Sequence, residues 1–96
     1  MKRAIDNLRR LIRDQEYDIS IHANEEMSND VLIAIDIENA ILAGKITKRF
    51  TKEARGVRYE VTGESCDGRS VSGVCRILST GWLRIITVFA LENNEP

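Results

Sequence analysis

Proline is all but missing from this sequence, the only one being Pro96. No ring therefore interrupts a helix or removes a ladder donor anywhere in the interior, and a proline-rich linker is excluded. Cysteine is scarce too. Cys66 and Cys75 are too few for a disulfide scaffold, and with the single His22 they fall short of a zinc ligand set. No metal and no cofactor is expected. The longest apolar run covers residues 31–35, far short of the ~20 residues a membrane helix needs, so no membrane partner is expected. The N-terminus reaches Asp6, Asn7 and Arg9 before any apolar region forms, unlike a signal peptide. The chain reads as cytoplasmic.

What is present is the mixture of a globular protein. Over 96 residues, 43% are hydrophobic and 30% charged, which suits one domain spanning 1–96. The formal net charge of −1 conceals segregation. Lys2, Arg3, Arg9, Arg10 and Arg13 crowd the first segment, and residues 14–44 carry eight acids with no Lys or Arg. Lys45, Lys48, Arg49, Lys52, Arg55 and Arg58 then meet only Glu53.

Helices come first. Over residues 2–14, Ala4, Ile5, Leu8, Leu11 and Ile12 fall within one arc at helical spacing and leave a basic outer face. Residues 20–44 hold two more helices. Ser20 is the expected N-cap of a short one ending near Met27, and Asp30 that of a longer one over 31–43. Gly44 stands where a left-handed C-terminal residue is wanted. Asp36, Glu38 and Asn39 are expected to face water.

After Gly44 the period changes from 3.6 to 2. Residues 46–51, 57–65, 71–78 and 82–89 read as strands of an antiparallel sheet over 46–90. Asp67-Gly68 and Thr80-Gly81 are read as two-residue turns. That register sets Glu60 opposite Cys75, Tyr59 opposite Arg76, Val61 opposite Val74, Ile85 opposite Arg76 and Thr87 opposite Val74. The expected fold is α+β, with N-terminal helices covering a four-stranded antiparallel meander. Tyr59, Arg76 and Thr87 would interrupt the apolar face, either as its wet rim or as a polar cleft between sheet and helices.

Two candidates for chemistry emerge. His22 is the only side chain that titrates near neutrality unperturbed, and behind a Ser20 cap it lies in a helix's first turn, where the dipole favours the neutral, proton-accepting imidazole. The basic run Lys45, Lys48, Arg49, Lys52 and Arg55 could bind phosphates. It could equally be a solvated face, or protect an edge strand from aggregation.

Residues 20–27, Ser-Ile-His-Ala-Asn-Glu-Glu-Met, resemble the S-x-H-A-x-E-R-M opening of domain-of-unknown-function family 4258. Asp36-Ile37, Ala40-Ile41 and Gly44-Lys45-Ile46 resemble its next segment. Arg58-Tyr59, Gly63, Asp67-Gly68-Arg69 and residues 85–89 resemble its sheet motifs. The resemblance covers about residues 18–90. It implies a RelE-like fold of the barnase-like ribonuclease group and the toxin half of a bacterial type II toxin–antitoxin pair. Such a toxin is a metal-independent endoribonuclease acting on RNA, including mRNA on the ribosome, and is paired with a YgiT-type zinc-finger antitoxin. For that chemistry His22 would be acid or base. Arg58 and Arg76 would be forked phosphate donors, and Thr87 would position a phosphate oxygen or water. Tyr59 would stack on a base or donate its hydroxyl. Strict alternation separates Arg58 from Tyr59, and Tyr59 is paired with Arg76 in this reading. Glu26 stands where the motif has Arg, removing a cation. That departure favours the alternative of a non-catalytic RNA- or partner-binding module.

Overall fold

The computed structural model describes residues 3–91. The expected helix start at Lys2 and the outer ends of the 1–96 domain lie outside the described residues. The elements run α1 (Ala4–Arg13), β1 (Tyr17–Ile19), α2 (Ile21–Asn29), α3 (Ala34–Ala43), β2 (Lys45–Phe50), β3 (Arg58–Glu64), β4 (Ser70–Ile77) and β5 (Leu83–Ala90). The fold is α+β, with three helices and a five-stranded mixed sheet in the order β1-β5-β4-β3-β2. The expected four antiparallel strands are thus joined by a fifth. Only three residues long and carrying Asp18, β1 has too little apolar alternation to be read from sequence. It runs parallel to β5, with Tyr17, Asp18 and Ile19 beside Leu83, Arg84 and Ile85.

The amphipathic spacing of α1 buries Ile5, Leu8, Leu11 and Ile12, and Asp6 accepts from the Arg3 N–H at 3.3 Å. Ser20 caps α2 as expected, its hydroxyl accepting from the Ala23 N–H at 3.0 Å. Asp30 does not cap α3. It ends α2, and Val31 takes a left-handed φ of 55°. The Leu32 N–H then reaches the Met27 carbonyl at 2.7 Å and the Val31 N–H that of Ser28 at 3.2 Å. This is the terminal bonding pattern that ordinarily calls for glycine. Leu32 turns inward, α3 restarts at Ala34, and the Asp36 carboxylate accepts from the Ile33 N–H at 3.0 Å. Gly44 closes α3 in an extended conformation, with φ −91°. Glycine is required there because a Cβ would overlap the carbonyl oxygens of Ala40 and Thr62.

The polar residues of α3 tie it to the rest of the molecule instead of facing water. Asp36 is buried and accepts from the Cys66 N–H at 3.0 Å. Glu38 accepts from the Tyr17 hydroxyl and from Gln15, while the Asn39 amide donates to the Glu64 carbonyl at 2.9 Å. The helix lies directly on the sheet, since a Cβ at Gly63 would overlap the Ala40 carbonyl oxygen and one at Gly73 would stand 2.8 Å from Ile37 Cδ1.

Both hairpin loops are one residue longer than expected. The Ser65 N–H donates to the Arg69 carbonyl at 2.8 Å and the Leu78 N–H to that of Trp82 at 2.8 Å. Three residues therefore separate each closing pair. A type I′ turn needs positive φ at two positions. Here Gly68 and Gly81 alone adopt it, at 86° and 92°, while Asp67 and Thr80 do not. Asp67 instead accepts from Ser65 and Arg69, which hold its carboxyl down at about 2.

The extra residue shifts the register by one. Tyr59 faces Cys75, Arg58 faces Arg76, Glu60 faces Val74 and Val61 faces Gly73. Cys75 pairs with Ile85 and Arg76 with Arg84, but a bulge at Ile86 restores the expected Val74–Thr87 pair. One sheet face therefore presents Val61, Val71, Cys75, Leu83, Ile85 and Val88 to the helices. Arg76 and Val74 belong to the opposite face, which no helix of the described residues covers.

Val31 predicts a gain on substitution. A β-branched residue in the left-handed region is strained, and this side chain is exposed, so little burial is lost on removing it. Val31→Gly should raise stability by about 1 kcal/mol in urea unfolding at unchanged m. A less stable variant would show that the side chain holds the turn.

Candidate nucleic-acid interface

The corrected register builds a line of cations across the open face. Arg58 on β3, Arg76 on β4 and Arg84 on β5 are consecutive cross-strand partners. Phe50 adjoins Arg58 at one end and Asp18 adjoins Arg84 at the other. Neighbouring strands lie ~4.8 Å apart, so three guanidinium stems rise within ~10 Å, and like charges directly opposite are unfavourable. The outer two are compensated. Arg58 pairs with Glu53 and lies over the Phe50 ring, 5.0 Å from its centroid. Arg84 makes a forked pair with Asp18 at 2.9 and 3.0 Å. Arg76 in the middle has no carboxylate partner among the described residues. Nε of Arg76 is buried without a hydrogen-bond acceptor, as is Nε of Arg58.

Beside the line opens a cavity of about 550 Å³, lined by Ser20, Arg55, Arg76, Leu78, Thr80 and Arg84 with Ser79 and Ile86. Three of these residues are arginines from separate segments. The expected polar cleft between sheet and helices is therefore displaced to the sheet's uncovered side. Tyr59 does not share it. That ring is half-buried on the helical face, with Arg49 5.7 Å from its centroid. Tyr59 is withdrawn from Arg76 because the longer loop exchanges it with Arg58.

The rest of the basic run divides between the two faces. Lys48 lies opposite Glu60, and Lys52 is exposed in the β2–β3 loop with Arg55. Lys45 and Arg49 line a second cavity of about 500 Å³ with Arg3 and Arg9 at the start of α1.

His22 and Thr87 meet elsewhere, through Glu26. Where β1 ends, β5 would have a bare edge, and α2 runs along it. The Glu26 carboxylate accepts from the Val88 N–H at 3.0 Å and from the Thr87 hydroxyl. Asp30 accepts from the Ala90 N–H at 3.0 Å. The Ser20 hydroxyl donates to the Ile86 carbonyl at 2.8 Å. The spacing makes this possible, since four residues of helix advance about 6.0 Å and two of strand about 6.6 Å. His22 is 68% exposed, its Nε2 3.4 Å from the same Glu26 oxygen. Glu26 is therefore a strand-edge acceptor with the imidazole beside it, not a vacancy left by a missing cation.

The structure thus forms two groups, Arg58–Arg76–Arg84 with Arg55, and His22–Glu26–Thr87, linked by Ser20. Arg84 was missed in the sequence because the two-residue loop put Ile85 opposite Arg76. A three-residue loop would have disclosed it. Among comparisons with known proteins, a family model described as a domain of unknown function (DUF4258) matches residues 19–90. Neither a curated protein nor a solved structure matches the chain.

Removing the edge acceptor gives a local test. Glu26→Ala should cost about 2 kcal/mol, the penalty of orphaned donors at a partly buried site, and should speed hydrogen exchange at the Val88 amide ahead of the rest of β5. Unchanged protection at Val88 would mean that the carboxylate does not seal the strand.

Proposed function

The chain belongs to the DUF4258 family, and from that premise we propose that it is the toxin of a type II toxin–antitoxin pair, a metal-independent endoribonuclease of RelE-like fold. The observation that carries the reading is the arginine line, because a cross-strand row of like charges around an uncompensated Arg76 is costly without an anion to bind. RNA supplies closely spaced phosphates, and a guanidinium fork suits them better than a lysine. Arg55, Lys48 and Lys52 extend the positive field along the path of the strand.

In cleavage, the RNA 2′-hydroxyl attacks the adjacent phosphorus and the 5′-oxygen leaves. Arg76, with Arg58 and Arg84 beside it, would neutralise the phosphoryl oxygens as charge develops on them. His22 is the group able to take or return a proton, and Glu26 would orient its ring as a carboxylate orients a catalytic imidazole. Thr87 would hold that carboxylate in place. A cognate antitoxin and, for mRNA, the ribosome are the partners this reading entails.

One observation favours a second reading, a non-catalytic RNA- or partner-binding module. The Glu26 carboxylate is already engaged by Thr87 and Val88, a structural use that needs no reaction.

A single experiment separates the readings. Labelled single-stranded RNA is titrated and then incubated with the protein in EDTA. Arg76→Gln should weaken binding roughly tenfold across sequences and lower the salt slope by about 1. His22→Ala should keep binding but slow cleavage by roughly 100-fold or more, and should relieve growth arrest on expression without the antitoxin. Binding without cleavage by the wild type, with or without ribosomes, would select the second reading. Absence of binding would remove both RNA readings.

A further inference from the structure

The chain has one tryptophan, and it is left outside the core. Trp82 is 42% exposed, the only aromatic among the large exposed apolar side chains of the described residues. In a chain with only five aromatic residues, leaving the largest one in water forgoes substantial apolar burial. Its location gives that exposure a use. Leu83 is fully buried on the helical side, so alternation places Trp82 and Arg84 together on the open face, about 6.6 Å apart along the strand. The hairpin fixes the residue in place. Its carbonyl accepts from the Leu78 N–H at 2.8 Å, and its own N–H reaches the Thr80 hydroxyl at 3.4 Å. A concavity of about 300 Å³ between Asp18, Leu78, Thr80, Trp82 and Arg84 shares Leu78, Thr80 and Arg84 with the arginine cavity.

We propose that Trp82 is a base-stacking platform continuous with the phosphate site, and that the ligand is single-stranded RNA. The inference rests on the reading of the open face as RNA-binding. It adds that the bases are unpaired and that the site is tolerant of sequence. A phosphate on Arg76 and Arg84 leaves its nucleotide within reach of the indole, and the face of any unpaired base can lie on it, whereas a duplex hides those faces. Asp18 holds the Arg84 guanidinium in a pair at 2.9 Å, on the lining of the same concavity as Trp82. The role assigned in the sequence to Tyr59 thus passes to an aromatic on the correct face.

Because the chain contains no other tryptophan, indole fluorescence, excited selectively over Tyr17 and Tyr59, reports this site alone. The full chain is titrated with oligouridylate, with oligoadenylate, with a blunt RNA duplex and with inorganic tripolyphosphate. Anisotropy of a labelled single strand serves as an independent measure of binding. Both single strands should bind and quench Trp82. Tripolyphosphate should compete in anisotropy with little quenching, and the duplex should bind more weakly than either single strand. Trp82→Leu should weaken single-strand binding roughly tenfold while leaving tripolyphosphate binding unchanged, and Trp82→Phe should recover most of the loss. The side chain is exposed, so both variants should fold, which circular dichroism verifies. Binding of single strands without quenching and at equal affinity for Trp82→Leu overturns the platform and leaves the RNA reading standing. A duplex bound as tightly as the single strands also overturns it. If no RNA binds in anisotropy, the reading of the open face falls and the platform with it.

Discussion

Strand β4 is held in register on both sides by hairpins whose loops each contain a single left-handed glycine, Gly68 and Gly81. Every assignment of a sheet side chain to the core or to the open face follows from that. With three residues in each loop, Cys75 and Val71 turn toward the helices and Arg76 turns away. One residue fewer would exchange the faces of neighbouring strands, sending Arg76 under α3 and Cys75 into water. Gly63 and Gly73 make the same demand from the other side. Their missing side chains are the space that α3 occupies, so the helix can seat only when this face of β3 and β4 is inward. Loop chemistry and core packing thus specify one register, and the cross-strand arginine line is its by-product on the uncovered side.

The second organising device is the handover along β5. Three residues of β1 pair with its first half, and α2 takes over along the remainder, offering carboxylates where a strand would offer carbonyls. This closes an edge that would otherwise invite association with another chain. It also commits Glu26 to the backbone of β5 and, through the same oxygen, brings His22 near Thr87. The acceptor that seals the sheet edge and the neighbour of the only histidine are here one residue.

The sequence disclosed whatever depends on local periodicity and caps. The inner face of α1, the Ser20 cap, the order of helices before strands and the positions of both hairpins were all legible, because each is written within a few consecutive residues. Contacts between distant segments were not. Val31 in a left-handed conformation made Asp30 look like the start of α3, since nothing in its neighbours signals that a valine occupies a glycine's place. Loop length decided by φ at Asp67 and Thr80 moved Tyr59 and exchanged Arg58 for it. Residues 20–27 and the sheet motifs carry the resemblance to family 4258, and the match over residues 19–90 places the chain there. Arg84, Asp18 and Trp82 could be found only once the register was known.

On the proposed reading, the open face tolerates an Arg76 that has no carboxylate partner among the described residues, between two other arginines, because an anionic polymer binds it. Such a site is stabilised by ligand and carries a cost without it. The direct measurement is the melting temperature of Arg76→Met against wild type at low salt, with and without single-stranded RNA. The variant should melt higher than wild type in the absence of RNA, because repulsion and an unsatisfied buried Nε are removed. RNA should raise the melting temperature of wild type by more than that of the variant. A variant that melts lower without RNA, or that gains as much from RNA as wild type does, would contradict this reading.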